Sequence, residues 1–84
     1  MSERSVADRV VGIFAEFKKL EPSKVDREAT FDDLGFDSLD GLNLIFELEE
    51  EFDIIVPDEK ARSMRSVAEV IGGIESLIAA KEAA

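Results

Sequence analysis

The sequence predicts an all-α protein: a small up-and-down four-helix bundle with three main helices, one short helix and a long first loop. Three observations carry that reading. Apolar residues recur at helical spacing in three separate segments. Each of these segments opens on a Ser or Asp followed three positions later by an acid, the pattern of a helix start. The one run of strand-like composition, Asp53-Ile54-Ile55-Val56-Pro57, has no partner run elsewhere in the chain. The 84 residues make a single domain with one small core. A chain of this size buries roughly 60–65% of the surface its unfolded form exposes, so modest stability is expected.

The first helix is predicted over about residues 5–19, with Val6, Val10, Ile13, Phe14 and Phe17 on one stripe. Ser5 and Asp8 mark its start, Lys18 and Lys19 suit its negative end, and Pro22 is expected to stop it. Residues 21–36 lose the period and read as a long loop, which needs apolar anchors to stay ordered; Val25, Ala29, Phe31, Leu34 and Phe36 are the candidates. The second helix follows from Ser38 to about Phe52, with Asp37 as N-cap and Asp40 completing a capping box. Its broad apolar face holds Leu42, Leu44, Ile45, Phe46, Leu48 and Phe52, with Leu39 at the margin; Glu49 falls inside that arc, and Phe46 is expected in the core. Residues 53–57 read as an extended loop burying Ile54 and Val56, and residues 58–63 as a short helix. Ser66 and Glu69 form a second capping box, opening a last helix that carries Val67, Val70, Ile71, Ile74, Leu77 and Ile78 to about Ala80. Gly72-Gly73 weakens its middle, and residues 81–84 are expected to fray.

Composition excludes several kinds of chemistry. The chain has no Cys, hence no disulfide or thiolate metal site, and no His, the commonest general base and metal ligand. No apolar stretch approaches the roughly 20 residues needed to span a bilayer, and residues 1–4 lead into an amphipathic segment rather than a signal sequence, so a soluble cytoplasmic protein is expected. The formal net charge is −10, and it is unevenly spread. Residues 28–59 hold twelve acidic side chains and no Lys or Arg, while the rest of the chain has eight acids and ten bases. Such a field repels nucleic acid and anionic membrane and steers basic protein partners into encounter. A calcium site at EF-hand spacing is disfavoured, because the alternate positions counted from Asp33 or Asp37 fall on Gly35, Leu39 or Gly41.

The chemically suggestive stretch is Leu34-Gly35-Phe36-Asp37-Ser38-Leu39-Asp40. Ser38 becomes the first helical residue, beside free backbone N–H groups and the positive end of the helix dipole, where a phosphate ester is favoured. As a self-activated nucleophile Ser38 fails, since no His is present to serve as its base.

The run Gly35-Phe36-Asp37-Ser38-Leu39-Asp40, followed by Leu48-Glu49-Glu50-Glu51-Phe52 and Pro57-Asp58-Glu59, resembles the acyl carrier protein family. The resemblance extends weakly over nearly the whole chain. It implies a carrier without catalytic residues of its own, whose Ser38 is esterified by phosphopantetheine from coenzyme A and whose arm carries acyl groups as thioesters. Asp37 and Leu39 would then belong to the cofactor site. A phosphopantetheinyl transferase would attach the arm, and synthases and acyl-transfer enzymes with basic docking patches would read Asp40, Asn43, Phe46, Glu47, Glu49, Glu50, Val56 and Asp58, with Ala61 a further candidate. The resemblance also implies that the acyl chain lies between the helices of a monomer. Departures from the family pattern are Gly41, Asn43 and Phe46 on the second helix and the basic residues Lys60, Arg62 and Arg65 around the third. These leave open a specialised carrier, for an unusual acyl chain, a lipid A-type precursor or a polyketide or nonribosomal pathway, beside fatty acid biosynthesis. An acidic interaction module with an unmodified Ser38 is the reading from another class.

Overall fold

The computed structural model describes residues 5–83; residues 1–4, read above for a targeting signal, and Ala84 lie outside the described residues. Four α-helices run in the predicted order: α1 Val6–Lys18, α2 Ser38–Phe52, α3 Asp58–Ser63 and α4 Val67–Ala83. Helix α1 packs against both α2 and α4, and the core is wholly apolar, with Val10, Phe14, Leu44, Leu48, Val67, Val70 and Ile74 at its centre.

Helix α1 begins as its sequence predicts, the Ser5 hydroxyl accepting the Asp8 N–H at 3.1 Å. Its buried side widens beyond the predicted stripe to take in Val11 and Ala15, while Val6, Ile13 and Phe17 are half-buried. Pro22 is not what ends it. The chain turns at Lys19, which adopts the left-handed conformation (φ 56°), and the Leu20 N–H closes onto Ala15 O at 2.8 Å. That bonding satisfies the last carbonyls of the helix without a glycine. Pro22 instead opens a short 3₁₀ turn, Pro22–Lys24.

The long first loop is held by the expected anchors, with Val25, Ala29 and Phe36 buried and Phe31 and Leu34 partly so. It is also held by backbone bonds that no sequence pattern announces. Phe31 N–H donates to Arg65 O (3.0 Å), Val67 N–H to Ala29 O (3.0 Å) and Ala68 N–H to Arg27 O (2.7 Å), around an isolated antiparallel bridge between Thr30 and Ser66. The loop is thus stitched to the entry of α4. The Ser66 hydroxyl accepts the Glu69 N–H at 3.2 Å as the capping box requires, but the returning Glu69 carboxylate takes the N–H of Arg65 (3.0 Å).

Residues 53–57 form the predicted extended connection, with Ile54 and Val56 buried and Ile55 turned to solvent. The last helix corrects its prediction. Rather than fraying after Ala80, α4 continues through Ala83, and Lys81 donates to both the backbone oxygen (2.6 Å) and the carboxylate (3.1 Å) of Asp53. A tertiary contact holds what local propensity would release.

The paired glycines of α4 have different meanings. A Cβ at Gly72 meets nothing within 4 Å, whereas one at Gly73 would stand 2.5 Å from Sδ of Met64, which is itself buried. Gly72→Ala is therefore expected to raise stability by up to about 1 kcal/mol through helix propensity alone. Gly73→Ala is expected to lower it by about 1–3 kcal/mol, because the new methyl group would displace the buried Met64 side chain from its place in the core. Urea denaturation of the two variants decides the matter, and equal shifts of the two midpoints would contradict the packing account.

Candidate functional site

The turn before α2 is built from the inside out. Phe36 is buried against three other rings, Phe14, Phe17 and Phe31, with centroids 5.5, 5.7 and 5.6 Å away. Phe36 N–H returns to Phe31 O (2.8 Å), and Gly35 N–H to Asp32 O (3.1 Å). Gly35 sits at φ +79°, a conformation that a side chain resists. Burying Phe36 immediately before the helix leaves Asp37 and Ser38 outside, at the start of α2.

Asp37 and Asp40 form the predicted capping box: Asp40 N–H donates to Asp37 Oδ1 (2.8 Å), and Asp37 N–H to Asp40 Oδ2 (3.3 Å). The same Asp40 oxygen lies 3.6 Å from Nζ of Lys18, which also donates to Gly35 O (3.0 Å) and stands 5.0 Å from the centroid of the Phe36 ring. One lysine from the end of α1 therefore secures both sides of the turn. Its sequence position, 20 residues from Ser38, gives no hint of this role. Ser38 is exposed, and its hydroxyl makes no hydrogen bond among the described residues. Because Asp37 does the capping, the serine oxygen is spare.

Ser38 stands at the edge of a groove of about 580 Å³ between α2 and α3. Leu42, Ile45, Phe46, Val56 and Ala61 give it apolar walls, Phe31 and Gly41 close the end near the turn, and Asp37, Glu49, Asp58 and Arg62 supply its polar groups. Val56 is buried, and its N–H donates to Glu49 Oε2 at 2.7 Å, so Glu49 ties the 53–57 connection to α2. Phe46 is a correction. Expected in the core, it is 54% exposed, with Leu39 at 64% and Leu42 at 50%. The buried stripe of α2 is Leu44, Leu48 and Phe52, while Leu39, Leu42 and Phe46 stay half or more exposed on the side where α2 meets the groove to α3.

Folding also redistributes the charge. The acidic stretch contains no base, yet three bases from other helices reach it: Lys18 meets Asp40, Arg9 meets Glu51 at 2.9 Å, and Lys81 meets Asp53 at 3.1 Å. Asp37, Glu47, Glu50, Asp58 and Glu59 remain exposed, and none has an ion-pair partner among the described residues. Asn43, Glu47 and Glu50 lie along the exposed side of α2, beside Leu39, Leu42 and Phe46. The three tethering bases went unrecognised in the sequence, since each is distant along the chain from the acid it meets.

A capped helix start that holds out one serine, without a hydrogen bond among the described residues, beside an apolar groove is an arrangement suited to presenting an attached group. The family model described as the phosphopantetheine attachment site matches residues 8–80. The chain is 44% identical over 78 residues to an acyl carrier protein of Akkermansia muciniphila, covering 92% of this chain and 98% of the relative. It is 40% identical over 81 residues to one of Thermosynechococcus vestitus, covering 95% and 100%, and 38% identical over 81 residues to a mitochondrial acyl carrier protein of Dictyostelium discoideum, covering 96% and 68%. The crystal structure of an acyl carrier protein from Thermotoga maritima superposes with a TM-score of 0.74 at 32% identity, covering 87% of this chain and 86% of that one. The chain belongs to the acyl carrier protein family, and the prosthetic group that the family attaches covalently is phosphopantetheine.

Proposed function

We propose that Ser38 bears the phosphopantetheine arm and that the exposed side of α2 is the surface read by the enzymes that load and use it. The observation that carries this is the spare Ser38 hydroxyl: exposed, unbonded and set at the first position of a capped helix. In the loading step the serine oxygen bonds to the phosphorus that carries the pantetheine of coenzyme A. The pyrophosphate bond breaks, adenosine 3′,5′-bisphosphate leaves, and the serine proton passes to a base on the transferase. The base is external because the chain has no His, and the nearest carboxylates, Asp37 and Asp40, already accept backbone N–H groups. Once bound, the arm supplies the thiol that holds acyl groups, and the chain's own residues orient the attachment point and present it.

Leu39, Leu42 and Phe46, flanked by Asn43, Glu47, Glu50 and Asp58, make an apolar strip with an acidic rim, which fits enzymes carrying Arg and Lys around an apolar pocket. Phosphopantetheinyl transferase and the synthases and acyl-transfer enzymes of fatty acid biosynthesis in the cytoplasm are the partners this reading assigns. The groove between α2 and α3 would receive part of an acyl chain. No described helix is long and apolar enough to cross a membrane.

Incubation with coenzyme A and a phosphopantetheinyl transferase is expected to add the mass of one arm, mapped by fragmentation to the peptide containing Ser38. No added mass, or an arm on another residue, overturns the assignment. Reversing the acidic rim with Glu47→Lys and Glu50→Lys together is expected to slow association with the transferase about tenfold or more at low ionic strength, and much less at high salt. Stopped-flow measurements at two salt concentrations test it; identical rates at low salt would move the docking surface elsewhere.

A further inference from the structure

We infer that Arg62 is the chain's own anion-binding residue for the phosphodiester of the arm, an inference that rests on the attachment at Ser38. Among the residues lining the groove beside Ser38, Arg62 alone carries positive charge. It is exposed, and its guanidinium makes no hydrogen bond or ion pair with any described residue. In this it differs from Arg9, Lys18 and Lys81, whose cations meet Glu51, Asp40 and Asp53. Asp58, one turn earlier on α3 and lining the same groove, lies beyond ion-pair distance of Arg62.

The charge balance at the groove changes when the arm is attached. Esterifying Ser38 adds one negative charge at a mouth that already holds Asp37, with Asp58 across it; Glu49 also lines the groove, one of its oxygens taken by the Val56 N–H. The base nearest the turn, Lys18, is committed to Asp40 and Gly35 O. Among the residues lining the groove, Arg62 is the cation free to offset the new charge, and a guanidinium suits a phosphate oxygen pair geometrically. Tethering at Ser38 keeps the phosphate at high local concentration, so a contact too weak to capture free phosphate is populated. The modified form would then hold the root of its arm over the α2–α3 groove, biasing the chain that follows toward the apolar walls.

The test compares unmodified and modified forms of the wild type, Arg62→Gln and Arg62→Lys, each checked by intact mass for complete loading and by circular dichroism for an intact fold. At low ionic strength, attachment is expected to leave the melting temperature of the wild type level or raised and to lower that of Arg62→Gln. The gap between the two responses should be about 2–4 °C, consistent with a partly screened ion pair in a domain of this size. Arg62→Lys should fall between them, and the gap should shrink at high salt. In the wild type, the Nε–H resonance of Arg62 should move on attachment. Equal melting responses in wild type and Arg62→Gln, or an unmoved Arg62 resonance, overturn the role of Arg62 while leaving the attachment intact; failure to load the wild type removes the attachment itself.

Discussion

Ser38→Ala is expected to abolish arm attachment completely while leaving the fold within about 0.5 kcal/mol of wild type. The two halves of that expectation come from different features of one residue. Ser38 occupies the first helical position but is not the cap; Asp37 accepts the Asp40 N–H, and the Ser38 hydroxyl makes no hydrogen bond among the described residues. Removing the hydroxyl therefore deletes no internal bond, and Ala is at least as good a helix former. The contrast is Asp37→Ala, which removes the cap and is expected to cost about 1 kcal/mol. Intact mass after incubation with coenzyme A and transferase measures the first half, and urea denaturation the second. Residual loading of Ser38→Ala would show that the wrong oxygen has been assigned. A large loss of stability would show that the hydroxyl is part of the framework.

Phe36→Ala is expected to have the largest effect on stability, about 3–5 kcal/mol. That is a large fraction of the total for a chain of this length, since small domains hold on the order of 0.05–0.15 kcal/mol per residue. Phe36 is buried, touches the rings of Phe14, Phe17 and Phe31, and lies beneath the Lys18 ammonium. Its removal leaves a cavity at the junction of α1, the long loop and the start of α2, so the damage falls on the turn that presents Ser38. Arm attachment should slow even at temperatures where most molecules remain folded. A midpoint shift corresponding to less than about 1 kcal/mol would mean that the loop is held by its backbone bonds to α4 rather than by its aromatic anchor. Those bonds, from Phe31, Val67 and Ala68, would then merit disruption in their place.

The modest effect expected at the acidic rim and the large one at Phe36 share a cause. Burial in a small core concentrates free energy in a few side chains, whereas exposed charges act mainly on encounter and are screened by salt. This division also explains the correction at Phe46. Helical spacing identifies it as part of an apolar arc on α2, but spacing carries no information on which part of an arc a neighbouring element will cover. Leu42 and Phe46 border the groove between α2 and the six-residue α3 and, with Leu39, stay half or more exposed. The residues left outside are those that a docking enzyme can reach.

Local chemistry was enough for three features of this chain. The side chains of Ser5, Asp37 and Ser66, each accepting the backbone N–H three residues on at Asp8, Asp40 and Glu69, determined where three helices begin, because a cap is a contact between near neighbours. Apolar spacing determined most of the core, and the Gly35-to-Asp40 run placed Ser38 at a helix mouth. Tertiary structure alone decided the rest: the left-handed Lys19 that ends α1 ahead of Pro22, the persistence of α4 to Ala83, the stitching of the long loop to α4, and the bases that reach the acids of α2 and Asp53 after it. Each of these depends on groups far apart in the chain meeting in space, and their approach is set by how the helices pack rather than by the residues on either side.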